Sequence, residues 1–462
     1  MLKTLYHNLF SSQRTAHPDD ETAARTISRK QHGISRKQIS RNALTVIYDL
    51  RRAGFDAYLV GGGVRDLLLG GRPKDFDVAT DATPEQVQQQ FKRARIVGRR
   101  FKIVHVRFGR ELIEVTTFRA DHSQQVSQSN PRQQAQTNTQ GMLVRDNVYG
   151  SLREDALRRD FTVNALYYSV DGFTVLDYAD GMRDLQQRKL RMIGEPATRY
   201  AEDPVRMLRA VRFAAKLDFQ LEKNTAEAIQ PLAHLLRQVA PARLFDEVSK
   251  LFLSGHGFDT LSLLQQHQLL EILFPATHNS AAGHRNLLEQ ALRNTDQRIA
   301  DGKPVTPAFL YAALLWPTVC HTVEEEMASG TPRLPALQAG GQRAIEEQLE
   351  TVAIPRRFSS ATREIWTLQQ RLQNARGKRA LAVLQHPRFR AAYDFLLLRE
   401  ASGEDLDQRG NFWTELQREH PLDNDSREVN QRNAGSTGRR RRRPARRRRR
   451  RQTGDEQPSQ TP

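Results

Sequence analysis

Apolar positions along this 462-residue chain change their spacing part-way. In the first portion they form short runs rich in β-branched residues. Ala57–Val60, Phe76–Ala79, Ile103–Phe108, Leu112–Thr117 and Phe173–Asp177 are predicted strands. Leu44, Ile47 and Leu50 fall at helical spacing and predict a helix over Ala43–Arg52. A second helix is expected over Glu154–Asp160, with a further element starting near Asn164–Ser169. From about Pro196 to Arg399 the helical period takes over, without a convincing strand. Pro231, Pro241, Pro275, Pro307 and Pro355 punctuate the helix ends. The pattern predicts an α+β protein: a small mixed-sheet head, then an all-helical body, then a disordered basic C-terminal tail.

Polar stretches set the expected boundaries: a flexible basic arm over 1–41, a catalytic head over 42–180, a helical neck over 181–260, a helical body over 261–405 and a disordered Arg-rich tail over 406–462. Ser123–Gln140 is rich in Gln, Ser and Asn and is expected to be a disordered insertion or mobile loop. The formal net charge is +18, of which Arg439–Arg443 and Arg446–Arg451 supply eleven, leaving +7 on the rest. That balance favours a polyanionic partner, nucleic acid first, with an anionic membrane surface as the other candidate. The single cysteine, Cys320, excludes a disulfide framework or a cysteine zinc site within the chain. The first residues show no signal peptide, and no apolar run reaches membrane-span length, so a soluble cytoplasmic protein is expected.

Chemistry concentrates in Tyr58–Asp66 and Asp75-Phe76-Asp77: an apolar strand, a glycine turn, a helix start, then a strand with two carboxylates. On a strand, residues two apart share a face, so Asp75 and Asp77 should project together, about 6.5 Å apart at the backbone. A glycine turn alone is commonly just a turn, and D-x-D alone a solvated strand end. Together and in this order they suit holding Mg²⁺ against a nucleotide's phosphates while the bare backbone of Gly61 and Gly62 comes close. Phosphoryl or nucleotidyl transfer is the indicated chemistry. Arg72 and Lys74 precede the carboxylates, where they either meet a triphosphate or line a solvated turn. No G-x-x-x-x-G-K-[ST] loop is present.

Leu59–Gly70 and Lys74–Pro84 resemble the head of the class II template-independent nucleotidyltransferases, the bacterial poly(A) polymerases and tRNA CCA-adding enzymes. The resemblance continues through Arg158–Leu166 and Glu202–Arg209 and covers about Ile39–Phe252 well. It implies ATP as substrate, two Mg²⁺ ions, single-stranded RNA 3′ ends as partner, a link to RNA-degradation machinery, and no DNA. It places a catalytic acid at Asp160, although Glu114 on a neighbouring strand competes for that role, and Asp160 could instead cap the following element. It also implies nucleotide contacts from Gly61, Gly62 and Arg65, and base recognition by Asp203, Arg206 and Arg209, which the pattern alone would allow to be surface salt bridges.

Ile96–Val106 resembles the signature separating the poly(A) polymerase branch, with Arg99 and Arg100 as RNA contacts. Lys378, Arg379, Arg388 and Arg390, interleaved with Phe389 and Tyr393, suit single-stranded RNA, or the two rings are plain core. Three readings follow: template-independent addition of AMP to RNA, CCA addition to tRNA, or RNA binding without catalysis. Nucleotide and RNA binding would fall to the neck and RNA binding to the body.

Overall fold

The computed structural model describes residues 24–98, 102–120, 136–137, 143–145, 148–280 and 284–421. In the head, β1 (Arg25–Ile27) and α1 (Arg29–His32) precede α2 (Arg41–Arg52), whose N-terminus Ser40 caps through its hydroxyl. Then come β2 (Ala57–Val60), α3 (Gly62–Leu68), β3 (Asp77–Thr80), α4 (Pro84–Gln90), β4 (Ala94–Val97), β5 (Ile103–Phe108) and β6 (Glu111–Thr117). A two-residue β7 (Gln136–Thr137) pairs with β8 (Leu143–Arg145). The head finishes with α5 (Leu152–Leu157), β9 (Leu166–Ser169) and β10 (Thr174–Asp177).

Eight strands make one sheet in the order β1-β10-β9-β2-β3-β6-β5-β4. Only β3 and β6 run parallel; the other neighbours are antiparallel. Alternation decides which face is covered. Val104, Val106, Ile113, Val115 and Val78 point into the core beneath α2 and α4. The residues between them, including Asp77, Glu114 and His105, stand on the opposite face.

Beyond the sheet, α6 (Gly181–Gln186), β11 (Lys189–Leu190), α7 (Pro196–Glu202), α8 (Val205–Leu217) and β12 (Gln220–Leu221) form the neck. Helices continue to Glu419. α8 buries Leu208, Val211 and Ala214, which join a core running from Ile27 to Leu398. No described helix is long and apolar enough to cross a membrane.

The mixed head and helical body stand as the pattern predicted, with three corrections. Residues 24–40 are not a loose arm: Arg25–Ile27 completes a sheet edge against β10, and His32 Nε2 lies 2.9 Å from the carbonyl of Phe173. β11 and β12 form a parallel pair where helices alone were expected. The expected loop at 123–140 includes β7, and its other residues lie outside those described, as do 1–23 and the arginine-rich end.

Candidate active site

β2 ends at Val60, and Gly61 turns the chain with φ 72° and ψ −138°, a conformation that side-chain-bearing residues rarely hold. A Cβ on Gly61 would stand 3.5 Å from Arg159 Nη1 and 4.0 Å from Asp77 Oδ2. Gly63 lets α3 pass the backbone of Asp75; a Cβ there would lie 3.4 Å from that carbonyl oxygen. One space therefore gathers the glycine turn, Asp75, Asp77 and Arg159. The expected strand over Phe76–Ala79 is shifted by one residue, so Asp77 opens β3 and Asp75 sits exposed in the lead-in.

Asp77 lies opposite Val60 on one side and Glu114 on the other. Burial, then the Glu114 carboxylate, with a smaller push from Asp75, raises its carboxyl from 3.8 to about 6, against the pull of Arg159. Glu114 in turn lies 3.5 Å from His105 Nε2. Among the described residues no three potential ligand side chains converge as a metal cluster.

Arg159 is held from behind. Its Nε donates to Tyr167 Oη at 2.7 Å, its Nη2 to Asp155 Oδ2 at 3.0 Å, and Tyr167 Oη donates to the same oxygen at 2.6 Å. Asp155 sits on α5, which starts at the capping box of Ser151 and Glu154. Tyr167 and Asp155 were not singled out in the sequence; the i, i+4 spacing of Asp155 and Arg159 was the available signal.

Asp160 is engaged by a separate set of partners. Its carboxylate accepts from Arg209 Nε at 2.9 Å and also from Arg209 Nη2, from Asn164 Nδ2 at 3.1 Å and from the backbone of Phe161 at 2.8 Å. Burial alone would raise this carboxyl, but the charge and hydrogen bonds of Arg209 outweigh it and hold it well below the usual range. The helix cap weighed for Asp160 is thus a side-chain bracket between head and neck. Arg65, 2% exposed, extends it by donating to Asn164 Oδ1 at 2.6 Å and to Asp66 Oδ1 at 2.9 Å.

The Glu202–Arg209 motif splits among three partners. Asp203 precedes α8 and takes both arms of Arg243 at 2.7 Å each. Arg206 donates to Glu202 at 2.8 Å and to the carbonyl of Arg199 at 2.7 Å, while Arg209 goes to Asp160. The i, i+3 bridge between Asp203 and Arg206 does not form. On α8, Arg212 and Lys216 add cations beside Arg65 that the sequence pattern did not single out. Both are lowered from their ordinary values, first by burial; neighbouring Arg209 adds to this at Arg212, while at Lys216 the carboxylate of Asp66, 3.9 Å away, opposes it. Arg212 Nε is buried without a partner among the described residues.

Of the expected RNA contacts, Arg99 and Arg100 lie outside the described residues. Lys378 and Arg379 are exposed on the helix Gly377–Leu384; Arg388 lies 3.4 Å from Glu364, and Arg390 3.0 Å from Asp394. Phe389 and Tyr393 are core: they stack at 5.8 Å and pack beside Trp413, so they offer no platform for bases.

Residues 57–191 match the family described as "Poly A polymerase head domain", 218–280 that of the "Probable RNA and SrmB- binding site of polymerase A", and 329–452 that of the "Polymerase A arginine-rich C-terminus". The chain is 50% identical over 406 residues to Poly(A) polymerase I of Escherichia coli O6:H1, covering 86% of each. It is 35% identical to the CCA-adding enzyme of Bacillus pumilus over 232 residues, covering 50% of this chain and 54% of that one. Among solved structures, the Bacillus stearothermophilus CCA-adding enzyme in complex with CTP superposes with a TM-score of 0.54 at 28% identity, over 82% of both chains.

Proposed function

The chain belongs to the poly(A) polymerase family of template-independent nucleotidyltransferases, and from that membership we propose how its site transfers AMP from ATP to RNA 3′ ends with release of pyrophosphate. The observation that carries the reading is Asp77 facing a side-chain-free turn at Gly61, with Arg159 as the adjoining cation and Asp75 close enough to act on the Asp77 carboxyl.

Crowding of Asp77 by Glu114 and Asp75 leaves surplus negative charge on oxygen donors, the chemistry that suits Mg²⁺. Asp75 and Asp77 would hold the ions, two in this proposal. Bound there, Mg²⁺ supplies activation of the 3′-hydroxyl and neutralisation of charge on the phosphates. The protein's own groups do the positioning. Gly61 leaves room for phosphate oxygens between Arg159 and Asp77, and Asp155 with Tyr167 fixes the direction in which Arg159 presents Nη1. Arg212 and Lys216 enlarge the positive field at the junction of head and neck. Asp160 acts through Arg209, locking α8 to the head; Asp203, held by Arg243, and Arg206, held by Glu202, would offer the base the donors and acceptors these pairs leave free. The activity fits a cytoplasmic role in RNA turnover beside RNA-degradation machinery; the net charge of +18 makes an anionic membrane surface the competing contact.

Asp203→Ala or Arg206→Ala should reduce kcat/KM for ATP by an amount equivalent to about 2–5 kcal/mol. Thermal melts check the alternative, since unchanged kinetics with a lowered Tm would make both residues structural. The activity itself is tested with purified protein, a short single-stranded RNA, Mg²⁺ and each nucleotide alone. A long ladder with ATP is expected; two or three additions confined to tRNA would make it a CCA-adding enzyme.

A further inference from the structure

The open face of the head sheet carries more than its carboxylates. In register, Asp77 on β3 faces Glu114 on β6, Glu114 faces His105 on β5, and His105 faces Arg95 on β4. Residues directly opposite send their side chains to one side. A single row therefore crosses four strands from Asp77 to the outer edge, about 14 Å at the backbone for three strand spacings. The 3.5 Å approach of His105 to Glu114 and the push of Glu114 on Asp77 agree with that placement. Two residues further along the strands, Arg107 lies across from Arg93, and its backbone N–H donates to the Arg93 carbonyl at 3.2 Å.

Arg93, Arg95 and Arg107 are exposed and, among the described residues, have no ion-pair partner. The stretch Lys92–Arg110 contains no acidic residue at all. Like charges directly across a ladder are destabilising, so two arginines facing each other beside a third ask for a polyanion.

We propose that this row is the track for phosphates of the RNA primer adjoining its 3′ end. The proposal rests on the reading of Asp75 and Asp77 as the centre of nucleotide transfer. Direction follows from topology. Gly61 and Arg159 lie on the β2 side of Asp77, whereas the row leaves on the β6 side. An in-line displacement brings the attacking oxygen in opposite the leaving group. Pyrophosphate departs along the glycine turn, so the primer enters from the β4–β5 edge. The bond formed is from the 3′-oxygen to the α-phosphorus, and the bond broken runs from that phosphorus to the departing pyrophosphate.

The test uses the full chain carrying Arg93→Ala, Arg95→Ala and Arg107→Ala together, with a short labelled RNA and ATP across a salt series. The KM for RNA should rise roughly tenfold, and its dependence on log salt should flatten by about 2, near 0.7 for each phosphate no longer neutralised. The KM for ATP should not follow. Parallel salt plots with an unchanged KM for RNA would overturn the track. A rise confined to the KM for ATP would reassign the row to the triphosphate and overturn it equally. Should the triple variant misfold, Arg95→Gln alone should flatten the slope by about 0.7, and Arg95→Lys should restore it. Wild-type protein that fails to extend RNA with ATP would sink the functional reading itself, whereas an active wild type with an indifferent variant sinks only the track.

Discussion

Asp77→Asn should abolish nucleotide addition and yet make the metal-free protein more resistant to heat. Asn keeps the shape of the side chain but removes the charge that would hold the cation. Losing several kcal/mol of transition-state stabilisation corresponds to about three orders of magnitude in rate. The gain in stability comes from the same crowding. The folded protein raises this carboxyl from 3.8 to about 6, through burial and then Glu114, so folding favours its protonated form. The contribution to stability therefore falls as pH rises from about 4 through 6, and above 6 the charge is a standing cost. At ~1.36 kcal/mol per tenfold, that cost is at most about 3 kcal/mol, and partial solvent exposure reduces it to about 1–2. Melting curves in chelator at pH 7.5 should place the variant a few degrees above wild type, about 2–4 °C per kcal/mol, with the difference vanishing near pH 4. Asp75→Asn, at an exposed position, should lose activity with no such gain. Near wild-type extension by either variant would remove these carboxylates from the chemistry.

Asp160→Ala should be among the most destabilising single changes in the head. Removing one partner of this partly buried ion pair leaves the other uncompensated, at a cost below the ~3–5 kcal/mol of a fully buried pair. Arg209 would lose its acceptor, and Asn164 would lose the carboxylate that orients it toward Arg65. A double-mutant cycle with Arg209→Ala should show the pair changing together, with a coupling of about 0.5–3 kcal/mol. The carboxyl is depressed in the folded state, so its stabilisation is full above its unfolded value near 3.8 and is lost as pH falls below that. If Asp160→Asn destroyed activity while the melting curve stayed put, Asp160 would be a direct participant in transfer, as the family resemblance implied, and its bracket role would fail.

What the sequence disclosed and what it withheld divide along the range of the interactions. β2, β5 and the pair Asp75 and Asp77 could be read because their signal is local: β-branched runs, a glycine turn and a spacing of two. The strand of Glu114 was expected beside that of Asp77 and is so placed, but the register that sets the two residues opposite each other could not be read, because the β3–β6 pairing is parallel and spans a crossover containing α4, β4 and β5. Arg209 for Asp160 is chosen by the way α8 meets the head, and Arg243 for Asp203 by the way the helix Pro241–Phe252 packs on α8, and no spacing rule announces them. Phe389 and Tyr393 were ambiguous for another reason. An i, i+4 aromatic pair is the same string whether it meets bases or a core, and Trp413 decides it. Arg25–Ile27 escaped notice because only Ile27 of its three residues is buried.

That small strand sets the order in which the head can be finished. β1 leaves the ribosome first among the described strands, but its partner β10 lies at Thr174–Asp177, and β2 likewise waits for β9. The sheet's N-terminal edge cannot close until almost the whole head has been synthesised. Closing so long a loop carries an entropic cost that grows only with the logarithm of its length, but non-local pairing of this kind slows folding far more than it weakens the product. During that interval β2, whose four residues are all buried in the finished fold, has an unpaired edge open to other nascent chains. Expression yield, more than equilibrium stability, should therefore suffer when residues up to Ile27 are removed, and slower translation or lower temperature should recover it.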